Sequence, residues 1–169
     1  MDFHDRIKAD EGALEKLMRG LPGFAGFVEQ ESRRDADKLL REHLCAELDG
    51  TVEALERVAS GWSRAGQLDL LDDLERVAGR LRRADDKLRF ADYGYTGFFD
   101  AVKIDEDDLQ RFYEYDLSLR EFIGEVNEQV AALAEADEAE EALANLNEAI
   151  EALADMIGER ERVAAELVP

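Results

Sequence analysis

The 169-residue sequence has few of the residues that stabilise small proteins through covalent or metal bonds: one cysteine and two histidines. A single Cys45 excludes an internal disulfide and a cysteine-rich zinc site. The two prolines are Pro22 and Pro169, so no proline breaks a helix anywhere between them. No apolar run approaches the length of about 18 residues needed for a membrane helix, and the charged start MDFHDRIKADEG lacks the apolar region of a signal peptide. We therefore expect a cytoplasmic protein with no direct membrane insertion.

Positive charge is also scarce. The sequence has 42 Asp and Glu but only 21 Lys and Arg, which gives a net charge of −21. This charge repels phosphate backbones and anionic lipids, so it disfavours a nucleic-acid partner. The 46% apolar content is too high for a disordered acidic tail and predicts a folded protein with an acidic surface, in one domain of residues 1–169. The acidity fits either adaptation to high salt, where ions screen self-repulsion, or a specific electrostatic role.

Apolar residues recur at steps of three and four, which is typical of helices, and no alternating strand pattern occurs. The clearest stripe is Leu40, Leu44, Leu48, Val52, Leu55, Ala59 and Trp62. The pattern predicts a short N-terminal helix at 3–19 and four long helices at about 31–64, 68–91, 105–133 and 138–166. Such helices with short connections favour an all-α fold, specifically an antiparallel helical bundle.

Two alternatives remain open for the helices. Asp137 followed by Glu140 is a capping pair that favours a tight hairpin near 134–138, whereas a continuous helix through this region would be about 90 Å long. The regular stripes also fit a halophilic coiled-coil assembly, in which they pack between chains of a homo-oligomer.

Catalytic patterns are weak, which favours a protein with no enzymatic activity and no cofactor. A di-iron carboxylate site needs Glu-x-x-His motifs, and neither His4 nor His43 follows a Glu by three residues. An alternative is a metal-binding helical protein, in which His43 and Glu47, four residues apart on one helix, join Asp116 as ligands. The competing structural interpretation is that Asp116, a polar residue inside an apolar stripe, fixes the register of the helices.

Two segments outside the helical pattern, 23–28 and 92–99, are rich in aromatic residues. They either cover the ends of the helices as plugs or form a surface that docks a protein partner, because Tyr and Phe are favoured at the centres of interfaces. We expect a non-enzymatic interaction or scaffold protein, with two arginines adding charge complementarity. The candidate partner-binding residues are Phe24, Phe27, Arg33, Arg34, Tyr93, Tyr95, Phe98 and Phe99.

The same two regions carry a family resemblance. The motifs are GFAGFVEQESRRDADKLLREHL and RFADYGYTGFFDAVKIDEDDLQRFYEYDLSL. They resemble an uncharacterised prokaryotic family of small helical proteins, whose members are often encoded beside stomatin/flotillin-like (SPFH) membrane-scaffold proteins. The resemblance covers roughly residues 20–120 and implies no catalytic residue. It implies an SPFH-type scaffold as the partner class.

Overall fold

The computed structural model describes residues 16–17, 19–21, 33–91 and 106–166. Within these ranges the regular structure is helical and contains no strand, so the all-α prediction is confirmed. The four long helices are α1 (Arg33–Ala65), α2 (Leu71–Arg89), α3 (Glu106–Leu133) and α4 (Ala139–Glu166).

The N-terminal region is described only in part. Residues 16, 17, 19 and 20 are helical, Leu17 and Leu21 are buried, and the remainder of the predicted 3–19 helix lies outside the described residues.

The apolar stripes explain why the helices pack. Leu40, Leu44, Leu48 and Leu55 of α1 are all almost completely buried. They belong to one hydrophobic cluster, to which all four helices contribute. Within the described residues, the stripes are therefore covered inside a single chain. None of the described helices is both long and apolar enough to cross a bilayer.

The helix contacts define a ring. α1 packs against α2 and α3, and α4 packs against the other sides of the same two helices. Arg160, late in α4, hydrogen-bonds to Asp116, early in α3, and to Asp37, early in α1. Arg41 of α1 reaches the backbone of Arg89 at the end of α2. Helices consecutive within each hairpin therefore run antiparallel, whereas α1 with α3 and α2 with α4 run parallel.

This arrangement gives the molecule two different ends. The Arg160 end contains the N-termini of α1 and α3 and the C-termini of α2 and α4. The Trp62 end contains the turns at 66–70 and 134–138, which join the helices within each hairpin.

Both turns at the Trp62 end have clear local causes. Gly66 has a φ of 76°, a conformation that residues with a Cβ rarely adopt. Its N–H donates to Ser63 O and that of Gln67 donates to Trp62 O, which together form a Schellman motif that ends α1. After Leu133 the chain leaves α3, turns through 134–138 and returns as α4 against α3. The long helix considered as an alternative is therefore divided into two.

Candidate functional site

A network of buried ion pairs lies at the Arg160 end. Arg160 and Asp116 are completely buried, Asp37 is 2% exposed and Arg41 is 4% exposed. The Arg160 Nε atom donates to Asp116 Oδ1 at 2.6 Å, and its Nη2 atom donates to Asp116 Oδ2 at 2.9 Å. Nη2 also donates to Asp37 Oδ1 at 2.6 Å. The other oxygen of Asp37 accepts from Arg41 Nε at 2.8 Å.

The network balances its charges with two arginines and two aspartates. Burial raises the pKa of Asp116 above its usual value, and the positive charge of Arg160 opposes this effect. The guanidinium of Arg160 also lies 4.6 Å from the centre of the Phe112 ring, a cation–π contact. A buried charge without its partner is costly, so each member of the network depends on the others.

The same network connects all four helices. Arg160 joins α4 to α3 and α1, and Arg41 Nη1 donates to the carbonyl oxygen of Arg89 at 3.2 Å, which joins α1 to α2. The side chain of Arg89 then donates to Asp85 at 2.8 Å and to Asp49 at 3.0 Å. Buried ion pairs therefore fix the ends of α1, α3 and α4 relative to one another, and the hydrogen bond from Arg41 attaches the end of α2 to them.

Cys45 lies beside this network, and its environment makes the thiol inert. Burial, with a further contribution from Asp85, raises the pKa of Cys45 to about 12. Its sulfur is 4.0 Å from the backbone oxygen of Asp85. Within the described part of the chain, Oδ1 of Asp85 is the buried side-chain atom without a hydrogen-bond partner. A thiol that stays protonated at neutral pH is a poor nucleophile and a poor metal ligand.

The three residues of the metal-binding alternative do not share one site. His43 Nε2 lies 3.2 Å from Glu47 Oε1, and Arg120 lies 3.8 Å from the same oxygen. Both oxygens of Asp116 accept hydrogen bonds from Arg160 instead. No group of three or more His, Cys, Asp or Glu side chains suited to a metal occurs in 33–91 and 106–166 or in the few described residues before them.

The predicted partner-binding residues fall mainly outside the described ranges. This is the case for Phe24, Phe27, Tyr93, Tyr95, Phe98 and Phe99. Arg33 and Arg34 begin α1, but their side chains are not among those described. The ends of the neighbouring helices are nevertheless defined. Segment 23–28 precedes the N-terminus of α1, and segment 92–99 lies between the C-terminus of α2 and the N-terminus of α3. All three of these termini are at the Arg160 end.

Sequence reasoning identified Asp116 but missed its partners. Arg160 continues the buried phase of α4, three residues after Ile157 and four before Ala164, and both of these residues are buried. Asp37 likewise lies three residues before Leu40. The sequence signal for the network is therefore a charged residue at a position where the helical spacing predicts a buried apolar one, and it occurs in three helices, at Asp37, Asp116 and Arg160. Comparison with family models, curated proteins and solved structures gives no match for this chain.

Proposed function

We propose that this protein is a non-enzymatic, cytoplasmic interaction protein in which a helical bundle presents segments 23–28 and 92–99 to a protein partner. One observation carries the proposal. The helix termini that flank these aromatic segments all belong to the Arg160 end, where buried ion pairs connect α1, α3 and α4 and a hydrogen bond from Arg41 attaches α2. Two segments far apart in the sequence are thereby attached to one end of the molecule.

The buried network gives this end a stable base. Buried ion pairs contribute little net stability compared with apolar packing, but they are well suited to fixing register. Here they join helix ends that precede or follow each aromatic segment. A base of fixed geometry lowers the entropic cost of docking, because fewer arrangements are lost when the partner binds. The main contribution of the network is therefore to hold the helix ends in one arrangement for a partner, rather than to add net stability.

The described chemistry favours binding over catalysis. Cys45 is held protonated, and Asp116 is occupied by Arg160. The metal-binding alternative has less support, because His43 and Glu47 pair with each other rather than with Asp116. The coiled-coil assembly alternative also has less support, because the described apolar stripes pack within one chain.

The proposal is tested by site-specific photo-crosslinking in cells of the source organism. A photoreactive phenylalanine analogue replaces Tyr95 or Phe98 in two separate variants. The matched control places the analogue at Ala152, an exposed residue in the middle of α4. We expect one shared adduct from positions 95 and 98 that is absent from position 152, with an SPFH-type scaffold as the partner class that the family resemblance suggests.

The crosslinked partner is then purified and its affinity measured for the wild type and for Tyr95→Ala/Phe98→Ala. We expect the double variant to lose at least about tenfold in affinity with unchanged helix content, since buried aromatic residues dominate interfaces. Loss of helix content in the variant would instead identify these residues as plugs of the core. Equal adducts at positions 95, 98 and 152 would contradict docking at the Arg160 end.

A further inference from the structure

Negative charge is distributed unequally between the two hairpins. Residues 121–159 contain twelve Asp or Glu and no Lys, Arg or His. In the part of the chain that the structure describes, ion pairs reach two of these acids, Glu151 through Arg80 and Glu159 through Arg162. Exposed acids of the α1–α2 hairpin are paired more often, as in Lys38–Glu42, Arg57–Glu53, Arg76–Asp73, Arg82–Glu56 and Arg89–Asp49. Residues 121–159, which form most of the α3–α4 hairpin, therefore have a surface of largely unneutralised negative charge.

An apolar groove borders this surface at the Trp62 end. It has a volume of about 600 Å³ and lies between the parallel helices α1 and α3. Its apolar lining includes Val58, Trp62 and Val130, together with small residues such as Gly61 and Ala131. The small residues leave room for a helix backbone to come close to the surface.

Acidic residues lie along one side of the groove. Asp137 lines it directly, together with the uncharged Gln67. Glu128 is exposed on α3 about one turn before Ala131, and Glu135 is exposed in the turn that follows α3. Arg57 also lines the groove, but its guanidinium is 3.9 Å from Glu53 of its own helix. The groove thus combines an apolar floor with negative charge near the end of α3 and in the turn that follows it.

We propose that this groove is a second docking site, for a cationic amphipathic helix of a partner protein. The apolar face of such a helix would fill the groove beside Trp62, which is the usual mode of helix-in-groove recognition. Its Lys and Arg side chains would lie against Glu128, Glu135 and Asp137, which have no ion pair among the described residues. Charge complementarity of this kind raises the association rate and excludes acidic competitors.

Charge also argues against two other occupants. A second copy of this chain carries a net charge of −21, so its approach to the acidic rim is repulsive. Residues 1–15 of the chain itself contain five acids against Arg6 and Lys8, so their net charge is negative. A basic partner helix satisfies both the apolar floor and the acidic rim.

The single tryptophan makes the test direct, because Trp62 lines the groove and reports occupancy by its fluorescence. The probe is an amphipathic Leu/Lys peptide of about 18 residues, roughly 27 Å long as a helix. A Leu/Glu peptide with the same leucine positions is the control. We expect saturable binding of the Lys peptide, seen in Trp62 emission and in the anisotropy of a labelled probe. We expect no binding of the Glu peptide.

Three variants locate the binding site. Gly61→Leu fills the groove without a steric clash at the backbone, because a Cβ at this position meets no atom within 4 Å. The rim variant combines Glu128→Gln, Glu135→Gln and Asp137→Asn. The matched control removes three exposed acids from α4, which packs against α2 and α3 and not primarily against α1, and combines Glu141→Gln, Glu148→Gln and Asp155→Asn.

We expect the groove and rim variants each to weaken peptide binding by about tenfold or more and the α4 control by less than about twofold. Equal losses in the rim and α4 variants would overturn the proposal in favour of diffuse electrostatic attraction. Tighter peptide binding after deletion of residues 1–15 would assign the groove to the chain's own N-terminal segment. A dimer that Gly61→Leu dissociates in sedimentation experiments would assign it to a second copy. Either result would overturn the proposal.

Discussion

The two ends of the molecule use charged residues in opposite ways. At the Arg160 end, Asp37 and Asp116 are buried and paired with arginines inside the helix packing. At the Trp62 end, the interior is apolar, and acids such as Glu128 and Glu135 lie on the surface without an ion pair in the described chain. The buried ion pairs fix the geometry of the helix ends, and substituting any of them should strongly lower stability. The exposed acids can be substituted with little loss of stability, and their charge is available to a binding partner.

The largest expected effect comes from removing the centre of the buried network. Arg160→Met leaves Asp116 and Asp37 buried without their shared partner, which costs about 3–5 kcal/mol of unfolding free energy. Chemical denaturation followed by circular dichroism measures this loss. Arg162→Met is the matched control, because Arg162 is 72% exposed and its ion pair is with Glu159, three residues earlier in the same helix, so we expect a change below about 0.5 kcal/mol.

A compensating variant separates charge from packing. Adding Asp116→Leu and Asp37→Leu to Arg160→Met removes the two carboxylates that lost Arg160 as their partner. The triple variant also removes the Asp37 oxygen that accepts a hydrogen bond from Arg41. We expect the triple variant to recover part of the lost stability, since apolar replacements of whole buried ion-pair groups are often neutral or stabilising. If Arg160→Met alone were as stable as the wild type, the two ends would not differ in the way we describe.

At the Trp62 end, backbone conformation should matter more than charge. Gly66→Ala places a Cβ on a residue with a φ of 76° and should lower the unfolding free energy by about 1–2 kcal/mol. Gly61→Ala, five residues earlier in the helical interior, should raise it by about 0.5–1 kcal/mol, because alanine is the better helix former and its Cβ has space. Thermal melts of the two variants therefore shift in opposite directions. Shifts of the same sign would contradict the Schellman motif as the cause.

The pH dependence of Cys45 tests burial at the Arg160 end. Because its pKa is about 12 when folded and about 9.0 as a free side chain, unfolding favours release of the proton above pH 9. Stability from this group is complete below pH 9 and is lost as the pH rises toward 12. At pH 9.5 this group should remove on the order of 1 kcal/mol of stability relative to pH 7, and Cys45→Ala should lack this component. Rapid native-state labelling of Cys45 by a thiol reagent at pH 8 would contradict this environment.

The sequence predicted the helices better than the contacts between them. Periodicity identifies which face of each helix is buried, and Leu40, Leu44 and Leu48 follow it closely. The Arg160 pairing with Asp37 joins residues 123 positions apart, which no local pattern encodes. Arginine also normally lies at the surface, so residue type alone gives no reason to place Arg160 in the core. The assignments to Phe24, Phe27 and the 92–99 segment stay predictions.

The smallest expected effect concerns salt, and it distinguishes the exposed charges from the buried ones. Neutralising the exposed Glu141, Glu148 and Asp155 of α4 should raise stability by about 0.5 kcal/mol at low ionic strength, because it relieves repulsion in a chain of net charge −21. At 1 M salt the screening length falls to about 3 Å, so this gain should disappear. The cost of Arg160→Met should persist at 1 M salt, because ions do not enter the buried network. Denaturation curves of both variants at low and high salt provide the measurement. A salt-independent gain from the surface variant would mean that helix propensity, rather than charge repulsion, sets the stability of the α3–α4 surface.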